Sequence, residues 1–572
     1  HREARILLLA LGLMVVGYST HLYLPIRAHL HPAINEGAPD TWQRMSDLLE
    51  RKQYGEMNMF VRRSSIENQL NKEFWRYFSR QWPLFKGPSP GLASLLPLLL
   101  GLLGALWQAR RDTKRGFLYN FVFFGLNTAG LIVFLNFSDH EVRDRDYFFQ
   151  SGYHAYAMWI GLGVAWLIGW VRESFPGRPT EQRYATIAAG VLLCLQPFLL
   201  MRTLWFTHDR SGNYIARDYA YNMLAPLAPN SYMFTNGDND TFPLWYIQQV
   251  EGFRKDVRIV NLSLLNTDWY IRQLRDEEPK LPITFTDQQI EQLGAGAVQD
   301  ENGQVHYTNE VMVHHLVENS KTPDGRWRKQ PYFAVTVPDH FGYEHYFLLQ
   351  GLVYEVERDT LKAGLDVAAT NKALYQTFLY RGLFLKDGTW DTKVYKDENA
   401  STLSRNYAAA HLQLAFYYRG QREVRRGIAE LERIGRMFPD FPDALVPLGS
   451  FYCDAGDTAK ALQLYQSITE KAPQNPEAHY YFGALLAVKG QLQPALKQFD
   501  DAIASSPDYP QAYYGAYTVA RQLGQDDKAR GYLMEIARLR PDDAQVRQLL
   551  MSEGIMPGAT APGGRPPIPQ TP

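Results

Sequence analysis

With 59 Lys+Arg against 60 Asp+Glu over 572 residues, the chain is near neutral and too long for one ordinary core. Three or more units are expected, and the charge balance gives no footing for a nucleic-acid partner. The two cysteines, Cys194 in an apolar stretch and Cys453 in a repeat, supply neither a disulfide framework nor metal-ligand spacing.

Long apolar runs are confined to 1–205, a membrane domain with five expected spans at about 5–24, 90–108, 117–136, 152–171 and 185–205. Each is near the ~20 residues that cross ~30 Å of hydrocarbon. The chain starts at His1, with Arg5 leading straight into the first span, and is read as lacking an upstream part. The short connections at 109–116 and 172–184 are rich in arginine, including Arg110, Arg111, Arg115, Arg172, Arg178 and Arg183. The positive-inside rule places both in the cytoplasm, and therefore 25–89, 138–151 and everything after 205 outside.

In the outer loop 25–89, Asp40 is placed to cap a helix over 41–52 with Trp42, Met45 and Leu49 on one face. A second helix, about 65–82, sets Ile66, Leu70, Phe74, Phe78 and Trp82 at i+4 spacing. That pattern suits a helix in the membrane interface or over the membrane domain, and equally one packed on the soluble half. Arg27 and Glu36 lie in the same loop; Arg27 either reaches headgroups or holds a donor phosphate, and Glu36 is a candidate carboxylate.

Residues 138–149 read Ser-Asp-His-Glu-Val-Arg-Asp-Arg-Asp-Tyr-Phe-Phe, a dense charge cluster between two spans. Charge beside lipid is costly, so such a cluster is a functional-site hypothesis. Asp139 with Arg143 and Glu141 with Arg145 also form i,i+4 pairs that would support a short exposed helix. Functionally, Arg143 and Arg145 suit bidentate phosphate binding. Asp139, Glu141 or Asp146 suits a base, or a ligand of a divalent metal, although no metal-site signature is present.

Residues 206–400 read as an extracytoplasmic α/β domain: a helix at 213–227, a strand at 232–235, a helix from about 243 to 250, a strand at 257–262 and a helix at 269–274. Further strands are expected at 332–337 and 349–356. The turn between the first strand and its helix holds Asp238, Asn239 and Asp240. It is either a helix start capped by Asp240 or Thr241, or a substrate-facing turn at a strand's carboxyl end.

From 401 to 552 the period is 34, with segments starting at Ala408, Pro442, Pro476 and Pro510, the tetratricopeptide spacing. Position 20 is small in all four (Gly427, Ala461, Ala495, Ala529) and position 24 is large (Leu431, Tyr465, Phe499, Leu533). Position 32 is proline throughout (Pro439, Pro473, Pro507, Pro541), which stops the second helix. Such repeats form an all-α superhelix that binds peptide or protein, or serves as a spacer. The tail 553–572 is rich in Pro and Gly and is expected to be disordered.

Four stretches together resemble a known family: 23–27 with 34–37, 141–149, 236–246 and 257–267. The sequence is similar to a bacterial family of multi-spanning membrane proteins, long catalogued as a domain of unknown function. Its members often end in tetratricopeptide repeats, and it is related to a eukaryotic transmembrane protein O-mannosyltransferase. The resemblance covers roughly residues 1–275. It implies a partial GT-C-like membrane domain in a bacterial inner membrane, with the C-terminal half periplasmic. The implied reaction moves a mannose-like sugar from a polyprenyl-phosphate donor to Ser or Thr of a translocated protein. In such enzymes the catalytic acid normally lies in the first outer loop of the complete protein, which the resemblance places upstream of His1. A membrane-anchored repeat scaffold without enzymatic activity is the alternative.

Overall fold

A computed structural model describes residues 2–52, 61–83, 95–111, 115–139, 145–293, 297–299, 305–362 and 364–554. The chain divides into two compact units, the first made of 1–212, 267–273 and 394–399, the second of the remainder.

Among the described residues, four helices of the first unit are long and apolar enough to cross a membrane: Ala4–Ala28, Arg115–Leu135, Asp146–Glu173 and Pro179–His208. The remaining expected span, at 90–108, is described from Leu95 onward as the 17-residue helix Leu95–Arg111. That helix packs on Gln150–Glu173 at backbone contact distance. A Cβ on Gly104 would sit 1.9 Å from the Trp159 carbonyl oxygen, and one on Gly163 would sit 1.9 Å from that of Leu100. Small residues permit this approach, on which apolar helices rely where lipid removes the hydrophobic drive between them. Polar side chains along the same seam are paired. Tyr156 donates to the Leu98 carbonyl at 2.7 Å and Trp159 Nε1 to Gln108 at 2.8 Å.

The segment between the first two expected spans departs from two sequence expectations. Its first helix is Trp42–Leu49, capped by Thr41 rather than Asp40. Thr41 is extended (φ −120°, ψ 157°), the backbone an N-cap needs, and its hydroxyl accepts from the Arg44 amide. Asp40 pairs instead with the Arg44 guanidinium at 2.9 Å. The second helix, capped by Ser65, contains a wider π-type stretch over Gln69–Trp75. The extra residue in that turn shifts the helix phase and breaks the predicted apolar row. Ile66 and Leu70 face out, while Gln69, Glu73, Tyr77 and Phe78 turn inward.

The inward polar groups have work at the end of helix Leu131–Leu135. Arg62 donates to the carbonyls of Val133 (3.1 Å) and Ile132 (3.3 Å). Gln69 donates to the Phe137 carbonyl at 2.5 Å. Asn136 closes the helix in the left-handed region (φ 48°), accepts from the Arg63 amide and donates to the Val61 carbonyl. A cation thus satisfies two carbonyls that the helix C-terminus leaves open, while two side-chain amides tie the residues just beyond it to the 61–69 segment.

The second unit is built on a six-stranded sheet. Its strands are β1 (Tyr232–Thr235), β2 (Arg258–Asn261), β5 (Pro331–Ala334), β6 (Phe347–Gln350), β7 (Val353–Val356) and β8 (Gly364–Leu365). A separate antiparallel pair comprises β3 (Ala297–Gln299) and β4 (Val305–Tyr307). The sheet order is β2-β1-β5-β7-β6-β8, with β1 parallel to both neighbours. All four β1 residues are buried, as befits a parallel strand covered on both faces.

The repeats form paired helices, and the residue before each position-32 proline lies outside the helical region, at φ between −129° and −144° and ψ between 68° and 93°. That is the backbone proline imposes on its predecessor, and it ends every second helix at the same place. Ala461, Ala495 and Ala529 are fully buried beneath Tyr465, Phe499 and Leu533.

The first repeat helix does not begin at Ala408 but runs Glu398–Gly420. Its additional turns dock on helix Ile215–Leu224 of the sheet domain. Fully buried Asn222 donates to the Tyr407 hydroxyl at 2.7 Å and to the Leu379 carbonyl at 2.8 Å, and accepts from the Leu379 amide at 2.8 Å. Asn406 donates to Tyr219, and the buried Asp218 carboxylate accepts from the Arg381 guanidinium (2.6 and 3.1 Å) and amide (3.0 Å).

Replacing Gly163 by Val forces the apolar helix pair apart. The expected cost is about 1–3 kcal/mol, read as a lowered thermal unfolding midpoint in detergent. Gly161→Val, where nothing lies within 4 Å of a new Cβ, is the control and leaves the midpoint within about 0.5 kcal/mol of wild type.

Candidate functional site

The charged loop is described only at its edges: Glu141 and Arg143 lie outside the described residues. Asp139 is exposed at the start of the loop, and its carboxylate accepts from the Ser64 hydroxyl and the Asn68 amide. Arg145 is held by its backbone, whose amide donates to Tyr77 at 3.0 Å, while its guanidinium donates to Tyr147 at 3.3 Å. Asp146 is exposed at the head of the turn Asp146–Phe149, and Phe149 is fully buried. Arg27 is exposed near the end of helix Tyr23–Ala28, and Glu36 is exposed in the loop beyond it.

The turn after β1 separates the three residues singled out there. Helix Asp238–Gln249 begins three residues after β1 ends at Thr235, so Pro243 sits inside it. Asp238 and Asn239 are exposed, whereas Asp240 is 2% exposed and points into the fold. Its carboxylate accepts from the amides of Asn236 (2.9 Å) and Gly237 (3.0 Å) and from the Thr336 hydroxyl (2.6 Å). Of the two readings of this turn, Asp240 therefore follows the helix-start one, holding the chain from the third helical position rather than facing a substrate. Beneath it, Thr241 bonds to Thr235 at 2.7 Å and accepts from Asn261 at 3.0 Å. These side chains come from β1, β2 and the segment after β5, so the network exists only once the parallel strands align. Thr336 and Asn261 carried no local sequence signal of this role.

The repeats offer a different kind of surface. Phe416 and Tyr417 on the first helix, and Tyr481 and Val488 on the fifth, remain exposed. Exposed aromatic side chains of this kind are the ones enriched at protein interfaces. Behind Phe416 and Tyr417, His411 donates Nδ1–H to Glu430 at 2.7 Å, and Tyr375 donates to the same oxygen at 2.6 Å. Burial pushes the His411 imidazole below its ordinary value. Burial also works to raise the Glu430 carboxyl, but the hydrogen bonds from His411 and Tyr375 outweigh it and hold the group low.

Comparison with known proteins assigns two of these regions. The profile of TMEM260-associated domain 2 matches residues 216–322, which include β1, β2 and the turn between them. A tetratricopeptide-repeat profile matches residues 418–489. The chain carries both a TMEM260-associated domain and a tetratricopeptide-repeat region. A search of curated proteins returned no match. Among solved structures, similarity is to the MamA protein, at 20% identity over 26% of this chain and 83% of that one, TM-score 0.23. YrrB, described as a repeat protein with an unusual peptide-binding site, is 22% identical over 27% and 79%, TM-score 0.22. A thermophilic repeat protein of Thermus thermophilus is 18% identical over 28% and 91%, TM-score 0.24. The repeat assignment rests on the profile and on the 34-residue register seen in the helices.

Asp240→Asn puts an amide donor against one of two backbone donors, and an expected loss of about 1–3 kcal/mol is read by thermal unfolding. Asn239→Ala, on the exposed side of the same turn, leaves stability within about 0.5 kcal/mol. A second expectation concerns acid. The folded chain binds the His411 proton less readily than the unfolded one, so this contribution is present above pH 6.5 and is lost as the pH falls below it. Glu430, also lowered, adds a further loss below about pH 4.5. In His411→Gln the slope of stability against pH just below 6.5 is shallower than in wild type.

Proposed function

We propose that this protein is anchored in a membrane, uses its repeats to hold partner proteins, and carries a sugar-transfer site on the outer face. The exposed aromatic residues of the repeats, whose first helix docks on the sheet domain, carry the recruitment reading. The basic connections at 109–116 and 172–184 support an inner-membrane topology with the C-terminal half in the periplasm. The transfer reading is supported by the resemblance over residues 1–275, and the TMEM260-associated match at 216–322 supports the membrane-protein reading. In this reading the held protein is the acceptor, presenting a Ser or Thr hydroxyl, and a polyprenyl-phosphate sugar is the donor. Arg143 and Arg145, with Arg27, would grip the phosphate as it leaves, and a carboxylate would take the hydroxyl proton.

A scaffold without transfer activity is the second reading. It is favoured by Asp139, whose carboxylate is engaged by Ser64 and Asn68 and so is already committed within the fold. No group of three or more potential metal ligands occurs among the described residues.

The test uses the full-length protein in nanodiscs with polyprenyl-phosphate mannose and Ser/Thr-containing acceptor proteins. Transfer is expected, and Arg143→Ala with Arg145→Ala lowers it by roughly 100-fold. Acceptor binding survives that change but weakens when Phe416, Tyr417 and Tyr481 become Ala. Binding without transfer leaves the scaffold reading, and loss of neither on these substitutions contradicts both.

A further inference from the structure

A cleft of about 540 Å³ opens in the second unit, lined by Asn266, Tyr307, Asn309, Glu310, Asp339 and Phe341. Asn266 follows β2, Asp339 and Phe341 follow β5, and Asn309 and Glu310 open the helix Thr308–Asn319. The cleft therefore lies beyond the carboxyl ends of parallel strands, where open α/β sheets take their ligands.

The chemistry of the lining narrows the ligand. Several backbone and side-chain donors around it are spent inside the frame. The Asn309 amide donates to Asn266 Oδ1 at 3.0 Å and the Glu310 amide to Asn309 Oδ1 at 2.9 Å. Asn266 Nδ2 donates to the Leu262 and Ser263 carbonyls at 3.3 Å, and the Phe341 amide to Asp339 at 2.9 Å. An anion would find the helix start already served by Glu310. No Lys or Arg lines the cleft, and His306 Nδ1 lies 3.5 Å from Glu310. Charge in the lining is therefore carried by two carboxylates, set beside two aromatic rings, with Tyr307 exposed.

We propose that this cleft receives a cationic side chain, Lys or Arg, from an exposed segment of a partner protein. Glu310 and Asp339 pair with the charge, and Tyr307 and Phe341 offer their faces to the cation and its aliphatic stem. The occupant is fixed by charge complementarity, and the cleft is separate from the repeat surface, so its test does not depend on the function proposed above.

The experiment titrates the full-length protein in nanodiscs with N-acetyl-lysine methylamide, its arginine counterpart and its uncharged norleucine counterpart, using ligand-observed NMR. Methyl mannoside and calcium chloride are run in parallel. The lysine and arginine probes are expected to bind at least about tenfold more tightly than norleucine. Glu310→Gln with Asp339→Asn removes that preference, and Tyr307→Ala, at an exposed position, weakens both cationic probes without lowering the unfolding midpoint. Equal binding of norleucine overturns the proposal. So does cation binding unchanged in the double variant, mannoside or calcium binding that the double variant abolishes, or failure of every probe to bind.

Discussion

The second unit depends on one buried amide. Asn222 has no access to solvent and closes three hydrogen bonds at once, to Tyr407 of the first repeat helix and to both backbone groups of Leu379. A buried amide left unpaired would cost about 1–3 kcal/mol for each stranded group, so this arrangement is stable only with all three elements together. Asp218, one turn earlier, does the same for Arg381 with a charge. The sheet domain and the repeats therefore share a core, and a protein held by the repeats is held at a fixed place relative to the sheet. A flexible tether would give only an effective concentration; a shared core adds orientation.

The same constraint, that buried polar groups must be paired, shapes the first unit. Lipid offers no hydrogen bonds, so the carbonyls at the end of helix Leu131–Leu135 must find donors within the protein. Arg62 provides them for Ile132 and Val133, and Gln69 serves the Phe137 carbonyl just beyond the helix. This explains why the helix that carries Gln69 contains a π-type stretch: the widened turn brings Gln69 and Glu73 inward at the expense of an otherwise regular apolar row. The aromatic cluster of Tyr77, Phe78, Phe149, Tyr153 and Tyr156 closes beneath it.

Features that repeat or alternate along the chain were legible in the sequence. The 34-residue register located the small and large positions that Ala461, Ala495, Tyr465 and Phe499 occupy in the packed repeats. The strands at 232–235 and 258–261 were legible for a similar reason, as short apolar runs bounded by turn residues. What escaped were features set by partners distant in sequence. Thr41 displaced Asp40 as a cap because the backbone is extended at Thr41, which composition does not encode. Asp240 turned inward because Thr336, 96 residues away, supplies a donor. The pairing of β5 with β1 on one edge and β7 on the other carries no local signature either. Nor did the repeat period reveal that the first repeat helix starts at Glu398, since those extra residues belong to the junction rather than to the repeat.

The central claim is that the sheet domain and the first repeat form a single cooperative body. Native-state hydrogen exchange on the full chain measures this at the amides of Phe234 in β1 and Leu414 in the first repeat helix. The account predicts one shared opening free energy for the two, falling by the same amount at both when Asn222 becomes Ala. A repeat helix that opens independently of β1, with Asn222→Ala moving one site and leaving the other unchanged, would contradict it.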